Sequence, residues 1–144
     1  MNILKCLSVL IVVYISVSGI YSYFVTPRIK VINNSDYNLK LYKSKSRADS
    51  IEPTLEEVEQ MLHSIVVIEP NKSYSFGIDK KYIFSDGKNK LNTSLKDNSK
   101  TVISSQFSIQ EKGFCRYNIY IYNNYTDVNT VGLGFCYKKL FMVK

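Results

Sequence analysis

The chain has 144 residues, a net charge of +7, 12 tyrosines, no tryptophan, three cysteines and one histidine. That length admits one ordinary domain with a single core beside a leading segment. The basic residues are spread along the chain, with Lys80-Lys81 and Lys138-Lys139 the only adjacent pairs, so the basic stripe that nucleic-acid binding needs is missing. The excess reads as a solvated basic surface with some attraction for anionic headgroups or an acidic partner.

From Cys6 to Pro27 no residue is charged and most are apolar. As a helix these 22 residues reach ~33 Å, about the thickness of a bilayer's hydrocarbon core. Two readings stand. As an uncleaved anchor, residues 7–25 hold the chain in a membrane, Pro27 stops the helix, and Tyr21 and Tyr23 lie at the outer interface. As a cleavable signal, Leu7 to Ile15 is the apolar core, and Ser16-Val17-Ser18 offers small residues for a cut near Ser18 and a secreted product. Apolar character resumes through Phe24 and Val25, which favours the anchor. Arg28, Lys30, Lys40, Lys43 and Lys45 follow closely, and charge bias alone would keep the domain in the cytosol. A whole domain, however, translocates largely regardless of such charges.

Residues 28–144 read as one β-rich domain. Arg28 to Asn33 and Tyr37 to Lys43 alternate around the turn formers Asn33-Asn34-Ser35-Asp36, which predicts a hairpin. Ser44 to Glu52 reads as loop. Pro53-Thr54 opens a helix, with Thr54 and Glu57 as a capping box and Leu55, Val58, Met61 and Leu62 as the stripe that covers a sheet. Ile65 to Ile68 reads as a buried strand and Pro70-Asn71 as a turn. Tyr74, Phe76 and Ile78 alternate with small residues, and Tyr82-Ile83-Phe84 forms a further short run. Lys88 to Lys100, nearly all Lys, Asn, Ser and Asp, reads as a long loop. Val102 to Ile109 sets Ile103, Phe107 and Ile109 on one face. Cys115 to Asn123 is the clearest strand, with Cys115, Tyr117, Ile119 and Ile121 on one side and Arg116, Asn118, Tyr120 and Tyr122 on the other. Asn123 to Asn129 is a turn region, and Val131 to Val143 is a last long run. The sum is a mainly β protein: a transmembrane helix (1–27), then a small antiparallel β-sandwich or barrel with one short helix (28–144).

Placing Cys115 opposite Cys136 in a final hairpin centres its turn between Tyr125 and Thr126, and sets Tyr117 against Gly134 and Ile119 against Gly132. Large side chains over glycines suit cross-strand pairing. This register predicts a Cys115–Cys136 disulfide and hence an oxidising compartment. Zinc is disfavoured: two thiols and the distant His63 are too few ligands. His63 reads as a helix-end cation or a partly buried ring. No nucleophile elbow, metalloprotease motif or phosphate loop occurs, and the Glu56, Glu57 and Glu59 carboxylates fall on a helix surface. No enzyme activity, cofactor or metal is expected. Arg116, Tyr120 and Tyr122 form the candidate partner-binding patch, Tyr and Arg being common interface anchors; alternatively a second sheet covers them. Asn33, Asn71, Asn92 and Asn124 head N-x-S/T triplets, which matter only in a host that glycosylates.

The leading segment, Val31-Ile32-Asn33-Asn34-Ser35, Pro53-Thr54-Leu55-Glu56-Glu57, Ile68-Glu69-Pro70-Asn71-Lys72-Ser73 and the Cys115/Cys136 pair together resemble small, uncharacterised membrane-anchored periplasmic proteins of Gram-negative bacteria. Some proteins of this shape resemble immunity proteins against secreted antibacterial toxins. The resemblance implies an inner-membrane protein with its domain in the periplasm and a protein partner. Its alternative is a structural or assembly component of an envelope complex.

Overall fold

In the computed structural model the described residues are 3–47, 55, 58–59, 64–79, 83, 89–97, 100–132 and 135–143, with side chains described from residue 7 to 18 in the leading helix. That helix, α1, runs Ile3–Val25. Its described apolar side chains, from Leu7 to Val17, are all exposed. Among the described residues no helix is long and apolar enough to cross a membrane; the backbone of α1 is continuous over 23 residues, while residues 7–18 alone reach ~18 Å.

Among the described residues nine strands follow: β1 Arg28–Asn33, β2 Leu39–Arg47, β3 Val66–Ile68, β4 Ser73–Gly77, β5 Asn89–Asp97, β6 Lys100–Gln110, β7 Arg116–Ile121, β8 Thr126–Thr130 and β9 Lys139–Val143. They form two sheets, ordered β4-β1-β7-β8 and β3-β2-β5-β6-β9. Every pairing is antiparallel except β1 with β7. Alternation aims one face of each sheet inward, where Ile29, Val31, Phe76, Tyr117, Ile119 and Ile121 meet Leu39, Leu41, Ile68, Leu91, Leu95, Phe107 and Leu140. Phe107 from one sheet and Tyr117 from the other pack edge to face, with centroids 5.1 Å apart.

Several expectations from the sequence need correcting. The segments at 28–33 and 37–43 do not form a hairpin: β1 and β2 lie in different sheets. The turn between them is a corner held by a side chain. Asn33 is fully buried, which also disqualifies it as a glycan acceptor. Its Nδ2 donates to the carbonyls of Tyr37 (2.8 Å) and Ile68 (2.9 Å). Its Oδ1 accepts from the Ser35 N–H (3.0 Å) and hydroxyl (2.5 Å). Two donors and two lone pairs are all used, so burial leaves no amide group unsatisfied. Its backbone N–H and carbonyl meet Lys72 and Asn71 in the β3–β4 turn, where Asn71 adopts a left-handed φ of 59°.

The described parts of the stretches read as loops at 44–52 and 88–100 are strand; residues 48–52, 88, 98 and 99 lie outside the described residues. β2 continues to Arg47, and β5 fills Asn89–Asp97. Within β5, Leu91, Thr93 and Leu95 are buried, so the Lys, Asn and Ser residues between them occupy the outer face. The run at 65–68 is not a wholly buried strand: β3 is a short edge strand with Ile68 buried and Val67 exposed. Of the helix expected from Pro53, Leu55, Val58 and Glu59 are described; they are helical, and Leu55 and Val58 are exposed rather than laid on a sheet. His63, Met61 and Leu62 lie outside the described residues. In the run Tyr82-Ile83-Phe84, Ile83 is described; it is fully buried and helical rather than extended.

The final hairpin is also displaced. β7 pairs with β8, Ile121 opposite Thr126 and Tyr117 opposite Thr130, so residues 122–125 make the turn, and β8 begins inside the expected turn region. β9 belongs to the other sheet, beside β6. The Cys115–Cys136 disulfide is present, with Cα atoms 5.7 Å apart, but it is not a cross-strand rung. It joins the residue before β7 to the β8–β9 connection. Beside it Phe114 and Leu140 exchange two backbone hydrogen bonds of 2.9 Å. Gly113 makes this approach possible: its φ is +132°, and a Cβ there would lie 2.1 Å from the Leu140 carbonyl oxygen. On the opposite flank Lys43 places its ammonium 5.1 Å from the Tyr74 ring centroid and 5.2 Å from that of Phe76, while Lys45 pairs with Asp79.

Candidate functional site

The strict in–out alternation of β7 buries Tyr117, Ile119 and Ile121, and turns Arg116, Asn118 and Tyr120 to the outer face of the four-stranded sheet. These three, with Tyr122 just beyond the strand, are half-exposed. The second sheet packs on the opposite face, so it does not cover them.

The patch is not one cluster. In an extended strand, Arg116 and Tyr120 stand ~13 Å apart. Arg116 is in register with Arg28, at the end of the sheet that α1 enters. Tyr120 is in register with Ile32 on one side and Asp127 on the other, near the far end. Between these ends lie Lys30 and Asn118, themselves in register; the Asn118 amide donates to the Tyr120 hydroxyl at 3.5 Å. At the far end the Tyr122 and Tyr125 rings stack, with centroids 4.4 Å apart and planes 17° apart. The Tyr122 N–H donates to the Tyr125 carbonyl at 3.0 Å, which fixes the stack on the turn. Asn123 then ties this turn to the β1–β2 corner: its Oδ1 accepts from the Asp36 N–H (2.9 Å), and its Nδ2 donates to the Asp36 carboxylate (2.7 Å).

The resulting surface is an aromatic ridge, Tyr120, Tyr122 and Tyr125, flanked by Ile32 and backed along β1 by the exposed Lys30. Tyr125, 62% exposed, and Ile32 were not singled out from the sequence. Nothing local to Arg28–Asn33 announces a parallel pairing with a strand almost ninety residues later. A ridge of this type offers large, stiff contact area with hydroxyls at its rim, which suits protein recognition. Among the described residues no three His, Cys, Asp or Glu side chains are grouped to hold a metal. The chain matches no protein-family model, and no curated protein is significantly similar to it.

Proposed function

We propose that the protein is a membrane-tethered binding module: α1 is held in the inner membrane, and the β-sandwich stands in the periplasm and recognises another protein without catalysing a reaction. The observation that carries this reading is the state of α1. Leu7, Val9, Leu10, Ile11, Val12, Val13, Ile15 and Val17 are exposed around the whole circumference of the helix, whereas a helix that served the sandwich would bury one stripe on it. A bilayer is the solvent that removes this exposure. The Cys115–Cys136 disulfide supports an oxidising compartment. The tyrosine ridge supports a protein partner.

An immunity role against a secreted toxin fits this reading, since it asks for one specific protein–protein contact beyond the cytosol. The alternative, an assembly component of an envelope complex, asks for the same surface with a resident partner. Co-purification of the full chain from detergent-solubilised membranes tests the reading. Tyr120→Ala combined with Tyr122→Ala is expected to lose the captured partner while the protein stays folded and membrane-bound. Capture unchanged by both substitutions rejects the ridge, and release of the native chain from membranes by alkaline carbonate rejects the tether.

A further inference from the structure

We infer that the end of the sandwich nearest α1 lies directly on the anionic surface of the bilayer, with Phe114, Phe135 and Tyr137 at the headgroup–acyl boundary and Lys112, Lys138 and Lys139 at lipid phosphates. This inference rests on the tether reading and extends it from the helix to the domain.

The connection leaves no room for a gap. Only Thr26 and Pro27 separate α1 from β1. Pro27 is fully buried, its carbonyl accepts from the Ile78 N–H at 3.2 Å, and the Arg28 N–H donates to the Cys115 carbonyl at 2.8 Å. The step from Val25 to Arg28 therefore spans at most ~11 Å. The interfacial layer outside the hydrocarbon core is ~5–8 Å deep on each side. Whatever occupies the start of β1 is at or beside the headgroups.

Topology then gathers a particular set of residues at that end. β7 runs parallel to β1 with Arg116 beside Arg28, so residues 111–115 lie at the same end. β6 finishes there too, with Gln110 opposite Lys139. The disulfide holds Cys136, and with it Phe135 and Tyr137, against Cys115. Phe135 is 95% exposed and Tyr137 64%, and Phe114 is exposed as well. An exposed phenylalanine on an oxidised, pinned loop is costly in water. Next to it Lys112 is exposed and Lys138 and Lys139 are half-exposed, the Lys138 ammonium standing 5.9 Å from the Tyr137 ring centroid. Aromatic rings at headgroup level with lysines reaching to phosphate is the pattern of membrane-interface anchors. The near end also carries the exposed carboxylates of Glu111 and Asp79, and the opposite end exposes Asp36 and Glu69 beside Lys72 and the Tyr125 ring, so what sets the near end apart is its two-residue distance from α1 and its excess of lysine over carboxylate around the pinned aromatic rings.

The absence of tryptophan makes the test direct. Three single-tryptophan variants of the full chain, Tyr14→Trp in α1, Phe135→Trp at the near end and Tyr125→Trp at the far end, are reconstituted into phosphatidylcholine vesicles with and without phosphatidylglycerol, using lipids brominated at shallow or deep acyl positions. Tyr14→Trp is expected to be quenched by deep bromines in both lipids. Phe135→Trp is expected to be blue-shifted and quenched by shallow bromines with phosphatidylglycerol present, and to lose most of that quenching on adding Lys138→Ser and Lys139→Ser or high salt. Tyr125→Trp is expected to remain unquenched. A quenched Tyr14→Trp beside a Phe135→Trp as unquenched as Tyr125→Trp overturns the docking and leaves the tether standing. An unquenched Tyr14→Trp overturns the tether and the docking with it. A blue shift at Phe135→Trp without lipid quenching, accompanied by chain-to-chain crosslinking, assigns the patch to a second protein chain and overturns the inference.

Discussion

Truncating Asn33 to alanine removes a buried side chain that ties the β1–β2 corner to the β3–β4 turn. The loss follows from its four hydrogen bonds. The Ile68 carbonyl loses a donor at 2.9 Å, and the Ser35 N–H loses an acceptor at 3.0 Å. The Tyr37 carbonyl is partly compensated, because the Ser35 hydroxyl already stands 3.4 Å from it. Two buried polar groups left without partners cost about 1–3 kcal/mol each, so Asn33→Ala is expected to destabilise the domain by about 3 kcal/mol. For a domain of this size that is roughly 10 °C in Tm. Asn33→Asp keeps the shape and one acceptor but sets a second oxygen against two carbonyls, so at neutral pH it is expected to cost at least as much. The exposed neighbour Asn34→Ala is expected to stay within ~0.5 kcal/mol of the native protein. The assay is urea denaturation of the full chain in detergent micelles, followed by circular dichroism. A loss below ~0.5 kcal/mol for Asn33→Ala would mean that the corner holds without the amide.

Gly113→Ala and Gly132→Ala are expected to separate sharply in the same denaturation assay. The first forces a Cβ to 2.1 Å from the Leu140 carbonyl at a φ of +132° and is expected to cost about 3 kcal/mol or to prevent folding, while the second meets no atom within 4 Å and is expected to be neutral; equal losses would restore the register in which Gly132 lies under Ile119. Cys136→Ser removes a link between residues 21 apart in sequence and is expected to cost about 3 kcal/mol on chain-entropy grounds, read as a reductant-dependent shift that the variant no longer shows. Leu95→Ala is expected to cost about 2–5 kcal/mol because Leu95 is core, and no loss in thermal melting would return residues 89–97 to loop.

The sequence made the in–out faces legible wherever both classes of residue alternate cleanly. That holds for Arg28–Asn33, for Ser73–Gly77, and best for Arg116–Ile121, so the shared face of Arg116 and Tyr120 could be read before any pairing was known, whereas which face the second sheet covers could not. It hid β5, because Leu91, Thr93 and Leu95 are diluted by outward Lys, Asn and Ser, and the average over Lys88 to Lys100 looks like solvent-facing chain. It also misled on partners. A turn-rich tetrapeptide between two alternating runs is usually a hairpin, but here Asn33 folds its side chain into the turn and sends β2 to the other sheet. The cysteine pair was legible as a pair, and its register was not: any connection that returns Cys136 to the start of β7 satisfies the bond. At the candidate site the four-residue spacing already separates Arg116 from Tyr120, whereas Ile32 joins the ridge only through the parallel β1–β7 pairing, a contact with no local signature.

We propose above that α1 holds an oxidised sandwich on the periplasmic side of a membrane. The most direct measurement of this placement adds protease to spheroplasts carrying the full chain with a C-terminal tag, and counts alkylated thiols on the same sample before and after reduction. Protease is expected to remove the tag without lysis, only Cys6 is expected to be alkylated before reduction, and all three cysteines are expected to be alkylated afterwards. A tag protected until the membrane is opened, with three thiols alkylated at once, would contradict this placement.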